Sequence, residues 1–245
     1  MDMFSYNNIF ETKGIEYLVV IAFLVILIPF WIILNKTVKN TAQLRKGLGI
    51  LTAKKLNIPQ GIFYSRNHTW AYLEMSGIAR VGLDDLLLHI TADMNFSDLR
   101  NPGEKIKKGD HMAEIKHKGK TLTIFSPVSG EILAMNSLLI KNPEMVSEDP
   151  YRNGWMYKVK PDQWMAETNS YYMAEDASNW LGKELERFKD FLSGSERGFS
   201  AEPARMVLQD GGELTDYTLS ELPVEVWQNF QKDFLNSTDN PGKHL

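Results

Sequence analysis

The chain has no cysteine among its 245 residues. Disulfides, thiolate nucleophiles and thiolate metal sites are therefore excluded. Histidine is scarce, with five scattered residues and no pair at metal-ligand spacing, so no metal site is expected. Cationic charge is not in excess either. Lys and Arg number 27 against 31 Asp and Glu, a net charge of -4, and no global basic field favours nucleic acid. Nucleophile–base pairings, glycine-rich phosphate loops and zinc motifs are also missing, which argues against an enzyme. No internal repeat or low-complexity tract is present.

What is there begins with an apolar run. Tyr17–Leu34 reads YLVVIAFLVILIPFWIIL, 18 residues without a charge. At ~1.5 Å per residue it would extend roughly 27 Å, close to a bilayer's hydrocarbon thickness, and Tyr17 and Trp31 stand near its ends. The segment is expected to be an uncleaved transmembrane helix. Its start carries Asp2, Glu11 and Glu16 against Lys13, unlike the basic start of a signal peptide. Lys36, Lys39, Arg45, Lys46, Lys54 and Lys55 follow the run. That asymmetry predicts residues 1–16 outside, a single pass through the lipid bilayer at 17–35, and everything later in the cytoplasm. Leu44, Leu48 and Leu51 predict a basic amphipathic continuation to about Asn57 within a 36–60 linker.

Past Pro59-Gln60-Gly61 the pattern changes to short apolar runs separated by turn signals, the spacing of an all-β module. Strands are predicted at Ile62–Tyr64, Thr69–Leu73, Ile78–Val81, His111–Ile115, Leu122–Phe125, Glu131–Met135 and Met156–Val159. Asp84 and Asp85 precede a leucine cluster and suit a helix start better than a catalytic carboxylate pair, since adjacent side chains diverge. After Pro161 a helix is predicted over Tyr171–Leu192, then a hairpin about Asp210-Gly211-Gly212, a last amphipathic helix to Leu235, and a polar tail over 236–245. The 162–235 extension is acidic, and Trp164, Trp180 and Trp227 could anchor a partner or simply fill a core.

Met112–Ile132, MAEIKHKGKTLTIFSPVSGEI, reads as two strands about a Lys118-Gly119-Lys120 turn and closes on Ser126-Pro127-Val128-Ser129-Gly130-Glu131. Around it, His68-Thr69-Trp70, Arg80-Val81-Gly82-Leu83, Pro102-Gly103-Glu104 running to Gly109-Asp110, Asn142-Pro143-Glu144, Glu148-Asp149-Pro150-Tyr151 and Gly154-Trp155 appear in order. This succession, over residues 61–161, resembles the H protein of the glycine cleavage system, a lipoyl-bearing carrier. The resemblance implies a mainly β fold: a flattened lipoyl-domain-like β-barrel or sandwich, here preceded by one transmembrane helix and followed by a small α+β extension. Gly109, Gly130 and Gly154 suit turns with positive φ, and Trp70 and Trp155 a small core. Two readings of His68 stand: a hydrogen-bonded structural residue, or an orienting group near a cofactor cavity.

The resemblance also exposes a departure. Counting back from Ser126 without gaps, Gly119 holds the place of the carrier lysine and Lys116 the place of an acidic residue three before it. Lys118 and Lys120 each lie one residue off, and side chains alternate faces along a strand. The expectation is a non-catalytic, membrane-anchored adaptor or accessory subunit, without cofactor. It would dock an unidentified protein of a membrane-associated complex through Lys116, His117, Lys118 and Lys120. The alternative is a lipoyl carrier with the lipoyl group on Lys118 or Lys120.

Overall fold

The structure, a computed structural model, describes residues 17–28, 51–91, 94–195 and 214–236. The chain divides into two units, 1–48 and 49–245.

In the first unit a helix, α1, covers 17–28. The single-pass, N-outside placement does not stand. No helix among the described residues is long and apolar enough to cross a membrane. Residues 29–50, which carry the rest of the expected span and most of the cations that oriented it, lie outside the described residues. The basic helix expected to reach Asn57 is not continuous over its described part. A 3₁₀ turn at Ala53–Lys55 is followed by an extended Leu56.

The second unit is built on two antiparallel sheets. Strands β1 (Phe63–Tyr64), β2 (Thr69–Leu73), β3 (Ala79–Leu83), β9 (Tyr157–Pro161), β8 (Gly130–Met135) and β5 (Lys105–Ile106) form one, in that spatial order. Strands β4 (Asn95–Ser97), β6 (His111–His117) and β7 (Lys120–Phe125) form the other. Alternation explains the layering: Ile115, Leu122, Ile124, Ile132 and Val159 are buried while Lys116, Thr121 and Glu131 on the other faces are exposed. Trp70, fully buried, lies 5.7 Å from Tyr151, and Tyr157 donates to the Met112 carbonyl at 3.0 Å. Trp155 is only partly buried against this core.

Irregularities shape both sheets, among them a register shift in β8 between Ile132 and Ala134. The β6–β7 register shifts between His111 and Ala113, a bulge that leaves one extra residue on β6. Gly130 is required by close approach, because a Cβ there would meet the Lys160 carbonyl oxygen at 2.1 Å. It lacks the positive φ expected of it, as does Gly154, whereas Gly109 has one.

Helix α2 (Asp85–Ile90) starts at Asp84, whose side chain accepts from the Leu87 N–H, as its position before the leucine cluster predicts. Short helices α3 (Leu138–Lys141) and α4 (Glu144–Glu148) follow β8, and α5 (Trp164–Thr168) and α6 (Ala174–Ser195) follow β9. The described remainder is helical: α7 (Thr218–Glu221), α8 (Val224–Asn229) and a π-helical turn at Phe230–Leu235. Of Leu214–Leu219, expected as the last hairpin's second strand, only Thr218 and Leu219 are helical, in α7, and the first strand, Met206–Leu208, lies outside the described residues. Trp180 and Trp227 are buried inside this unit, and Trp164 packs edge-on against Phe63 at 5.2 Å. These aromatics fill the chain's own core.

Candidate functional site

The β6–β7 hairpin pairs His117 with Lys120, leaving a loop of two residues, Lys118 and Gly119. Both have positive φ, 46° and 81°, as a type I′ turn demands because its twist matches that of the strands. Glycine meets that demand without cost. Lysine in the left-handed region costs about 1 kcal/mol. Lys118 is therefore a turn residue rather than a displaced strand residue, and alternation does not govern where it points. It is exposed at the apex.

Below the apex the two faces differ. Lys116 and Thr121, paired across the strands, are exposed, and the Lys116 Nζ lies 3.1 Å from Glu114 Oε2. His117 and Lys120 occupy the opposite face, toward α7 and α8. The Lys120 Nζ donates to the Ser220 carbonyl at 2.6 Å and stands 5.5 Å from the Trp227 ring centroid. His117 stacks on that indole at 6.2 Å. Burial, then the adjacent Lys118 charge, holds the Lys120 amine below the usual lysine range, with Glu221 pulling the other way. The Thr123 N–H on β7, an edge strand, donates to Gln231 Oε1 at 2.7 Å, so the helical segment also covers a sheet edge. The four residues expected to form one docking surface are split: Lys116 and Lys118 face solvent, His117 and Lys120 the chain itself.

His68 has a structural environment. Its φ is 57°, its exposure is nil, and its ring lies between Trp180 at 5.3 Å and Phe234 at 5.4 Å. Nδ1 meets Asp84 Oδ2 at 2.7 Å and Nε2 meets Glu184 Oε2 at 3.5 Å. Burial pulls this imidazole down, but Asp84 and Glu184 outweigh it and raise its pKa to about 9. Arg187 completes the group, 2.6 Å from Glu184 and 3.9 Å over Phe234. A second bridge repeats the arrangement. His89 lies between Asp216 at 3.0 Å and Asp85 at 3.4 Å, with Lys55 2.6 Å from Asp216. Against burial, those carboxylates raise His89 to about 9 as well. The adjacent Asp84 and Asp85 thus anchor two separate histidines. Glu184 and Asp216 carried no sequence signal, since each meets its histidine across more than a hundred residues of chain.

One group among the described residues has metal-ligand chemistry. Ligand atoms of Asp98, His111 and Glu114 lie within 4.8 Å of one another. The same Glu114 carboxylate is held by Lys116 and by the Ser97 hydroxyl at 3.3 Å, and Lys116 keeps its pKa below the usual carboxylate range.

Comparison with known proteins places this geometry in context. The family model described as Glycine cleavage H-protein matches residues 62–184. The glycine cleavage system H protein of Aeromonas hydrophila is 39% identical over 106 residues, 43% of this chain and 82% of the relative. The probable glycine cleavage system H protein of Thermococcus gammatolerans is 32% identical over 124 residues, 51% of this chain and 92% of the relative. A crystal structure of a glycine cleavage system H protein from Mycobacterium marinum aligns with a TM-score of 0.45 at 25% identity, covering 51% of this chain and 99% of that one. The matched segment contains the hairpin and ends at Glu184, before α7, α8 and the π-helical turn.

Proposed function

The chain belongs to the glycine cleavage H-protein family, and from that membership we propose that it is a carrier bearing a lipoyl group on Lys118. The observation that supports this reading is the position of Lys118 in the two-residue turn, exposed at the apex of the hairpin that leads into Ser126–Glu131. A modifying ligase needs an amine that projects clear of the strands. Lys118 meets that need; Lys120, bonded to Ser220, does not. Bound there, a lipoyl group supplies a dithiolane on a long flexible arm. The chain's own contribution is to hold the amine on a short, closed turn and to keep Lys116 and Thr121 on the open face beside it. The role is one of carrying rather than catalysis.

The test is intact-mass measurement of the native protein with peptide mapping. A lipoyl increment on the Lys118 peptide, lost in Lys118→Arg, is expected. A chain purified from its own cell without any increment overturns the proposal. One observation favours a second reading. Lys116 stands in the carriers' acidic place and Gly119 in the lysine place, leaving a basic tip. An unmodified docking module would then engage an acidic partner through Lys116 and Lys118. In that case the double charge reversal Lys116→Glu/Lys118→Glu weakens capture of that partner at low salt.

A further inference from the structure

The segment Leu214–Asn236 lies outside the family match, yet it packs along one flank of the hairpin. Its attachments run from end to end. Asp216 is bridged to His89 and Lys55, and the Tyr217 N–H donates to the His89 carbonyl at 2.6 Å. Trp227 is buried, and its Nε1 donates to the Leu219 carbonyl at 2.6 Å, which fixes the indole beside Lys120. Gln231 closes the contact on Thr123. We propose that this segment is a clamp that decides which hairpin amine is open to acylation, withdrawing Lys120 and leaving Lys118.

Acylation requires the neutral amine's lone pair to attack an activated acyl carbon. An N–C amide bond forms, the bond from acyl carbon to leaving group breaks, and one amine proton passes to solvent. The Lys120 Nζ is engaged with the Ser220 carbonyl and roofed by the indole, so the approach of an acyl donor is obstructed from that side. Basicity alone predicts the opposite order. The lowered pKa of Lys120 leaves more neutral amine at a given pH, so faster reaction would follow if both amines were equally reachable. The sign of the rate difference therefore separates shielding from basicity.

The identity of the preferred amine rests on the carrier reading; the shielding does not. The experiment is a timed pulse of sulfo-NHS-acetate on the folded full chain, with peptide mapping of Lys116, Lys118 and Lys120. Lys120 is expected to react at least about tenfold more slowly than Lys118, because it must wait for local opening. Trp227→Ala should bring Lys120 to within about threefold of Lys118 while leaving Lys118 unchanged. Should that variant not fold, Gln231→Ala carries the test through a severalfold gain at Lys120 and faster amide exchange at Thr123. Equal rates in the unaltered chain overturn the clamp. A parallel incubation with a lipoate ligase and lipoyl-adenylate keeps the two readings apart. Attachment at Lys118 alone supports both, and attachment at Lys120 in the unaltered chain overturns the clamp. With no attachment at all, the carrier reading loses support while the acetylation rates still decide the clamp.

Discussion

His68 and His89 are held in the same way and situated differently. Each imidazole lies between a carboxylate at the start of α2 and one from the C-terminal half, and each is raised to about 9. His68 and Asp84 have no exposure, and two aromatic rings enclose the imidazole. His89 retains 18% side-chain exposure, and Asp85 and Asp216 retain 9% and 7%. One constellation is an internal strut and the other a seam at the surface. The two imidazoles thus differ in burial while sharing the type of partner, which makes them a test of how much burial contributes to such a bridge.

The largest expected effect breaks that comparison directly. His68→Ala strands Asp84 in the interior, while Glu184 keeps Arg187, and should cost about 3–5 kcal/mol, read as a shift of the urea midpoint. His89→Ala should cost about 1–2 kcal/mol, because water reaches the site and Lys55 still neutralises Asp216. Equal losses would show that burial does not distinguish the two.

The next effect is a pH dependence common to both. A folded-state pKa raised from 6.5 to about 9 means that the folded chain binds protons the unfolded chain has released. The resulting stability is complete below pH 6.5 and is lost as pH rises through 9. Glu184 and Asp216 act in the opposite direction. Although burial raises them, their histidines and the cations Arg187 and Lys55 hold them below the usual range. Their share is present above the ordinary carboxylate pKa and fades on acidification. Melting temperature should therefore be highest in mildly acidic solution and fall toward pH 9, more steeply in the unaltered chain than in His89→Ala. A flat profile over that range would refute the raised histidines.

The smallest effect concerns the apex. Lys118→Gly relieves a left-handed lysine and should stabilise the chain by about 1 kcal/mol in chemical denaturation, while removing the proposed attachment amine. A destabilised variant would mean that the lysine side chain contributes contacts that its backbone conformation conceals.

Much of this architecture was legible from local signals. The Thr69–Leu73 strand lies where alternating apolar residues predict it, and Asp84 begins its helix as an acidic cap before a leucine cluster should. The two-residue turn followed from Lys118-Gly119. Strands β4 and β5 were missed because two or three residues show no period, and α3 and α4 are equally short. At the site, strand alternation did not reach Lys118, which lies in the turn. Alternation holds within strands and lapses in a turn, so one residue's displacement moved Lys118 onto the apex rather than around it. Lys120 obeyed alternation, and what it faced lay a hundred residues downstream at Ser220. The apolar run at Tyr17–Leu34 satisfied a length rule that no helix among the described residues meets.

The extra residue in β6 has a consequence for sidedness. In an unbroken strand, His111 and Glu114, three apart, would look in opposite directions. The slip between His111 and Ala113 turns the base of the ribbon over, so both look the same way, toward Asp98. Tip and base consequently have their orientations set by different devices, one by a tight reversal and the other by a local overhang. Exchanging the apical amine for another group leaves the handedness of the lower rungs where it was.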